Sequence, residues 1–288
     1  MKIGLDDEEA RRQYWIDQME EAFGFMYEIM KHPVAECGEP LVSLPEAAAA
    51  EGVPVVFSDT LIAGVHRHLF YLREGLIRDF LAVAREMHGR GWLLKVEDGY
   101  RTREIQRDIA LQDNVLGVIL KKVIWEVRGA MPDPELVFRR LTALSATRPK
   151  IGTHMSGSAI DVSVLRADDR SEVDRGGPYI ELSELTPMDS PFISAVAATN
   201  RIEITGIMRR HGFTAYPYEF WHYNKGDTYA ERLMGSGKPA RYGAVDADLS
   251  KGNVMPIPNP GESLHAMDDF TRRIESALER LKGERHTL

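Results

Sequence analysis

The sequence predicts an α+β fold: a small, mainly antiparallel sheet with helices packed around it, plus a helical N-terminal arm. Two observations lead there. Some spans repeat apolar residues at helical spacing, while others are short, β-branched or aromatic, and bounded by turn signals. The two kinds are interleaved along one chain of 288 residues, 43% hydrophobic and 28% charged, which suits one large core or one core with an appendage.

From the N-terminus, residues 7 to 31 read as a helix. Trp15, Met19, Phe23, Tyr27 and Met30 form its apolar stripe, and Asp6 or Asp7 can cap its start. Such a stripe is a docking face rather than a cofactor box. Residues 32 to 53 carry Pro33, Gly38, Pro40, Pro45 and an alanine run, and read as a linker or irregular arm. Residues 1–52 therefore stand as a helical N-terminal extension and 53–288 as the main domain. Val53 to Phe57 is a short strand candidate. Residues 72 to 88 give an amphipathic helix with Leu72, Leu76, Phe80, Ala84 and Met87 on one face and Gly89 as its stop.

Trp92 to Val96 reads as a strand that ends at the Glu97-Asp98-Gly99 turn signal, so Arg101 projects from a strand end. Residues 103 to 128 and 134 to 145 read as helical, the second with Asp133 as cap and Pro134 in its first turn. From Ala159 to Val164 the residues alternate. Ala159, Asp161 and Ser163 share one face and Ile160, Val162 and Val164 the other, which predicts a half-buried strand. A polar, Gly-rich loop follows over 166 to 180. Ser190-Pro191 opens a helix that ends near Gly212. The aromatic stretches 213 to 218 and 220 to 223, broken by Pro217, read as strand. The span 236 to 262 is a Gly- and Pro-rich tail, and Phe270, Ile274, Ala277 and Leu281 mark a last helix.

Composition narrows the function classes. A net charge of −8 without a basic stripe argues against nucleic acid as partner. One cysteine, Cys37, permits neither an internal disulfide nor a Cys-based zinc site. The acidic start lacks the pattern of a signal peptide, and no apolar run reaches the roughly 18 residues of a membrane span. The expected location is the cytoplasm.

The chemistry concentrates in His154-Met-Ser-Gly157-Ser-Ala159-Ile-Asp161 and in Glu219-Phe-Trp-His222. Two imidazoles and a carboxylate with a fourth position open are the ligand set of a catalytic zinc site. A spare carboxylate beside them can take a proton from water. Gly157 allows a tight turn after His154. Strict strand alternation sets Glu219 and His222 on opposite faces, so both reach one site only through a bulge or a strand end. Spacing leaves the plainer reading open: a surface His154, a capping Asp161 and a His222 packed among its aromatic neighbours. His66, His68, His88, His211, His265 and His286 read as ordinary surface or helix-end residues.

The pattern H-x-x-G-x-A-x-D followed by E-x-W-H resembles the zinc D-alanyl-D-alanine dipeptidases and carboxypeptidases, the dipeptidase branch known from vancomycin resistance above all. Asp98-Gly-Tyr-Arg101, Asn200-Arg201 with Gly212-Phe213, and Arg241-Tyr-Gly243 extend the resemblance over roughly residues 55 to 245. The resemblance implies one zinc ion per chain on His154, Asp161 and His222, with Glu219 as general base and then acid. Arg101 would stabilise the oxyanion; without the family it would read as a surface salt bridge to Glu97 or Asp98. The implied function is zinc-dependent hydrolysis of a short peptide, D-Ala-D-Ala above all, in peptidoglycan chemistry. A D,D-carboxypeptidase is the nearest alternative.

A zinc-bearing binding module is the rival of another class, since the hedgehog signalling domain resembles this fold; Glu219 and Arg101 favour the enzyme. The expected partner is a small peptide, with the N-terminal helix available for association between copies of the chain. Two departures from the family pattern stand out. Gly152 replaces a frequent serine, and Pro187 occupies the place of the acid that would anchor the substrate's free amine. A buried ammonium needs a carboxylate partner. Glu184 lies three residues before Pro187, and Asp189, two residues on, is the expected substitute. The plainer reading of Asp189 is N-terminal charge on the following helix.

Overall fold

The computed structural model describes residues 8–110 and 112–286. Helix α1 (Glu8–Lys31) buries Trp15, Met19, Ala22, Met26 and Ile29. This corrects the stripe expected at Phe23, Tyr27 and Met30. A four-residue step overshoots the helical turn by about 40°, so an unbroken run of such steps winds off the core. Alternating steps of three and four hold one face. The capping expected from Asp6 or Asp7 lies outside the described residues.

The expected irregular arm contains strand β1 (Leu41–Ser43) and helix α2 (Leu44–Ala50). The Ser43 hydroxyl accepts from the Glu46 N–H and Pro45 sits in the first turn. The proline and alanines that suggest a linker are thus first-turn and helix-interior residues. Strands β2 (Val55–Phe57), β3 (Leu61–Ile62), β4 (His66–Arg67) and β5 (Tyr71–Arg73) follow. Helix α3 (Glu74–Gly89) buries Leu76, Phe80, Ala84 and Met87 as its pattern predicts. Strand β6 (Trp92–Asp98) runs two residues into the expected turn.

The helix expected over 103 to 128 is broken into α4 (Arg103–Ile109) and α5 (Asp113–Glu126), with Gln112 in extended backbone between them. Helix α6 (Pro134–Ser145) is capped by the Asp133 side chain. After strand β7 (Ala159–Arg166), helix α7 (Ala195–Arg210) starts later than Ser190-Pro191 suggests, because Ser194 is the residue whose hydroxyl accepts from the first turn. Strands β8 (Thr214–Ala215) and β9 (His222–Asn224) form the aromatic hairpin, followed by α8 (Thr228–Leu233). The expected Gly- and Pro-rich tail holds a hairpin, β10 (Val245–Asp248) with β11 (Asn253–Pro256), before the last helix α9 (Met267–His286).

The main sheet has the order β2-β6-β7-β9-β8. Only the β2–β6 pairing is parallel, so the sheet is mainly antiparallel as expected. One face packs on α3 and α7 through Leu94, Val96, Ile160, Val162 and Val164. The other face of β7 is also buried, which corrects the half-buried expectation. The loop after β7 folds back over it, with Arg175 donating to Ser163 Oγ (2.9 Å) and Tyr179 to Asp161 Oδ2 (2.9 Å). A second core joins α5, α6 and α9 through Leu116, Leu120, Val137, Leu141, Phe270 and Ile274. Helix α1 packs Trp15, Met19 and Ala22 against Ala143 of α6, and Met26 and Ile29 against Tyr216 and Tyr229. Among the described residues no helix is long and apolar enough to cross a membrane.

Candidate metal centre

Three chain segments meet where the inner strands β6, β7 and β9 of the sheet end or begin. His154 lies on a 3-10 turn, Thr153–Ser156, that ends on Gly157 in the left-handed region (φ +68°). A Cβ on Gly157 would land against Leu41 Cδ2, so the turn needs glycine for space as well as for φ. Asp161 is the third residue of β7, and His222, the first of β9, is its direct register partner. Glu219 sits in the turn before β9, with the His222 N–H bonded to the Glu219 carbonyl (3.2 Å). The strand begins at His222, so alternation does not separate the two side chains; the strand end resolves the difficulty.

The side chains converge accordingly. Asp161 Oδ1 is 2.8 Å from His222 Nδ1 and 3.3 Å from His154 Nε2. Ligand atoms of His154, Asp161 and His222 all lie within 4.8 Å of one another, and all three residues are buried. The outer nitrogens have partners of their own. His154 Nδ1 donates to the Gly99 carbonyl (2.6 Å), which leaves Nε2 as a lone-pair donor toward the centre. His222 Nε2 faces Asn224 Oδ1 and Thr153 Oγ1, both at 3.2 Å, which leaves Nδ1 toward Asp161.

Burial, with Arg101 close by, pushes the His154 imidazole down toward its neutral form. Burial would raise Asp161, but the two imidazoles outweigh it and hold the carboxyl well below its usual range. A neutral nitrogen, a second imidazole and an ionised oxygen, each oriented from behind, fit a divalent metal with an open position.

Glu219 stands off from this set, with Oε2 3.8 Å from His222 Nδ1. Burial raises its carboxyl to about 7, the range in which a carboxylate can both take and return a proton. Arg101 turns one Nη toward the centre, 3.8 Å from Asp161 Oδ2. Its Nε donates to Asp98 Oδ2 (2.6 Å) and Nη1 to Gln106 Oε1 (3.3 Å). A shift in register between Val96 and Asp98 sets Asp98 opposite Asp161 and swings this strand end to the site. The Asp98 pairing exists, but it is buried rather than a surface salt bridge.

Sequence reasoning missed His68. It reads as a surface residue, yet its side chain is buried, stacks on Phe70 and has Nδ1 2.9 Å from Asp98 Oδ1. It missed Tyr179 as well, in a loop whose composition signals only flexibility. Nothing local marks either; both reach the site by tertiary folding. His265 is likewise buried, beside Phe270, while His88 is exposed as expected and the side chain of His286 lies outside the described residues. Asp189 is exposed and does not line the site, and Glu184 pairs with Arg11 and Lys122. The structure brings neither to the metal centre.

The centre opens into a cavity of about 520 Å³ whose further walls come from residues 60–64, α5, α6 and the loop after β7. Comparison with known proteins adds the following. A family model described as D-ala-D-ala dipeptidase matches residues 76–236. A D-alanyl-D-alanine dipeptidase of Enterococcus faecium is 37% identical over 71 residues, which is 25% of this chain but only 35% of that protein. A D-alanyl-D-alanine dipeptidase of Synechocystis sp. is 24% identical over 255 residues, covering 74% of this chain and 95% of that one. A solved LD-carboxypeptidase structure aligns over 72% of this chain and 78% of its own at 17% identity and a TM-score of 0.36, too slight a likeness to bear on function.

Proposed function

Because this chain belongs to the D-Ala-D-Ala dipeptidase family of peptidases, we propose that it hydrolyses a short D,D-peptide of the peptidoglycan-stem kind with one zinc ion held by His154, Asp161 and His222. The observation that carries the reading is the convergence of three buried ligand atoms with a second, uncommitted carboxylate, Glu219, beside them. Bound zinc would supply a Lewis acid and lower the pKa of water to about 7.

The residues of the chain do the rest. Glu219 takes the proton from the attacking water and delivers it to the amine as the C–N bond breaks. The Arg101 guanidinium meets the negative charge that develops on the scissile carbonyl oxygen. Asp98 and Gln106 hold that guanidinium in place beforehand, so little reorganisation accompanies the reaction. Gly99 and Asn224 fix the imidazoles. A binding module without catalysis would need neither Glu219 nor a pre-aimed Arg101.

D-Ala-D-Ala, which the names of both relatives carry, is the first substrate to try. Hydrolysis should disappear with a chelator and return with added zinc. Undiminished hydrolysis in the metal-stripped protein, or none with zinc restored on any D,D-peptide, would refute the proposal.

A further inference from the structure

The walls of the cavity away from the metal centre are mostly apolar. Ile119 of α5, Leu144 of α6 and Leu182 of the loop after β7 line them. Leu61, Val118 and Ile180 line the same cavity from three separate segments while staying 47%, 50% and 56% exposed. Large aliphatic side chains left in water around one opening mark a surface that a ligand covers.

The charge of the cavity is confined to its other side. Among the described residues, Arg101 is the one Lys or Arg side chain that lines it, and Asp161 and Glu219 are its only carboxylates. All three belong to the metal centre, and Asp161 is engaged by two imidazoles and Tyr179. A charged substrate terminus on the α5 and α6 walls would lose its hydration with no partner to replace it. The C-terminal carboxylate of a peptide therefore stays on the side of the metal centre, where the guanidinium that meets the oxyanion is the one cation of the lining. An ammonium on these walls finds no acid outside the metal centre, since Asp189 and Glu184 lie outside the cavity. What fits the apolar walls is an uncharged body. The volume of about 520 Å³ is of the size that takes a drug-sized ligand, more than two alanines fill.

We propose that these walls form a pocket for an uncharged aliphatic or aromatic group on the N-terminal side of the scissile bond. The preferred substrate is then an N-blocked or chain-internal peptide, not a free-amine dipeptide; this rests on the metal centre being the hydrolytic site. The test uses the zinc-loaded full chain and a series of free, acetyl-, butyryl- and hexanoyl-D-Ala-D-Ala. The value of kcat/KM should rise along the series, by roughly fourfold for each methylene that becomes buried. A triple variant Leu61→Ser, Val118→Ser, Ile180→Ser should flatten that rise; its three sites are exposed, and circular dichroism checks its fold.

A free dipeptide cleaved best, or the same slope in the triple variant, would overturn the pocket. If no member of the series is cleaved, the peptidase reading fails and calorimetry decides the pocket by itself. Hexanoyl peptide binding more tightly than acetyl peptide, with the difference lost in the triple variant, supports it. Equal dissociation constants overturn it.

Discussion

Replacing Asp98 by alanine is expected to cost both stability and turnover, although Asp98 touches no metal ligand side chain. Its carboxylate is fully buried and serves three donors: Arg101 Nε (2.6 Å), His68 Nδ1 (2.9 Å) and the Gly99 N–H (2.9 Å). Truncating one partner of a buried ion pair costs about 3–5 kcal/mol because the other charge stays behind. Arg101 keeps 15% of its side chain in solvent, which favours the lower end, about 3 kcal/mol. For a chain of 288 residues that lowers Tm by roughly 5 °C.

Turnover should fall by about 10²–10³, the usual loss when a donor to a developing oxyanion is misaimed. The pH dependence has a definite sign. Burial would raise the Asp98 carboxyl, but Arg101 and the His68 hydrogen bond outweigh it and hold it below its usual value. Its contribution is then fully present above the unfolded value of about 4 and disappears as pH falls through the folded one, so the melting gap between wild type and variant should close in acid. Thermal melts across pH, with hydrolysis rates on the same samples, measure all of this. A variant with wild-type Tm and wild-type turnover would refute the account of Asp98 and Arg101.

The remaining expectations are simpler. Wild type should hold about one zinc ion per chain, and His154→Ala and His222→Ala should each lose most of it, as elemental analysis would read; full metal in either variant removes that residue from the site. Arg101→Lys should retain metal but lose most activity, because an ammonium cannot donate to Asp98, Gln106 and substrate as a planar fork does. Gly157→Ala should destabilise by roughly 1–3 kcal/mol through its left-handed φ and its clash with Leu41, and should weaken metal affinity with it. A melt and a metal titration equal to wild type would contradict that.

The parts of the structure legible in the sequence are those specified locally. Helix α3 follows from one apolar stripe, α6 from Asp133 and Pro134, and the turn after His154 from Gly157. The two segments that converge on the candidate site are legible too, because His154 and Asp161 share one short segment and Glu219 and His222 another. What stayed hidden depends on what packs against a segment. The alternation from Ala159 to Val164 is real, yet its polar face is buried because Arg175 and Tyr179 return over it. His68 owes its role to Asp98, thirty positions away in sequence. Asp189 reads as a substrate residue from its neighbours in sequence, but the chain turns it outward. The buried face of α1 departs from the expected stripe because a run of aromatic and methionine residues at i, i+4 looks like one face and winds away from it.

The central claim is that three side chains hold a metal while a fourth, Glu219, moves the proton. It is tested most directly by measuring zinc content and hydrolysis rate on the same preparation of Glu219→Gln. The expected result is the wild-type zinc content with turnover lower by about 10²–10⁴. Loss of the zinc together with the activity would make Glu219 a ligand, and retention of both would leave the proton transfer without its residue.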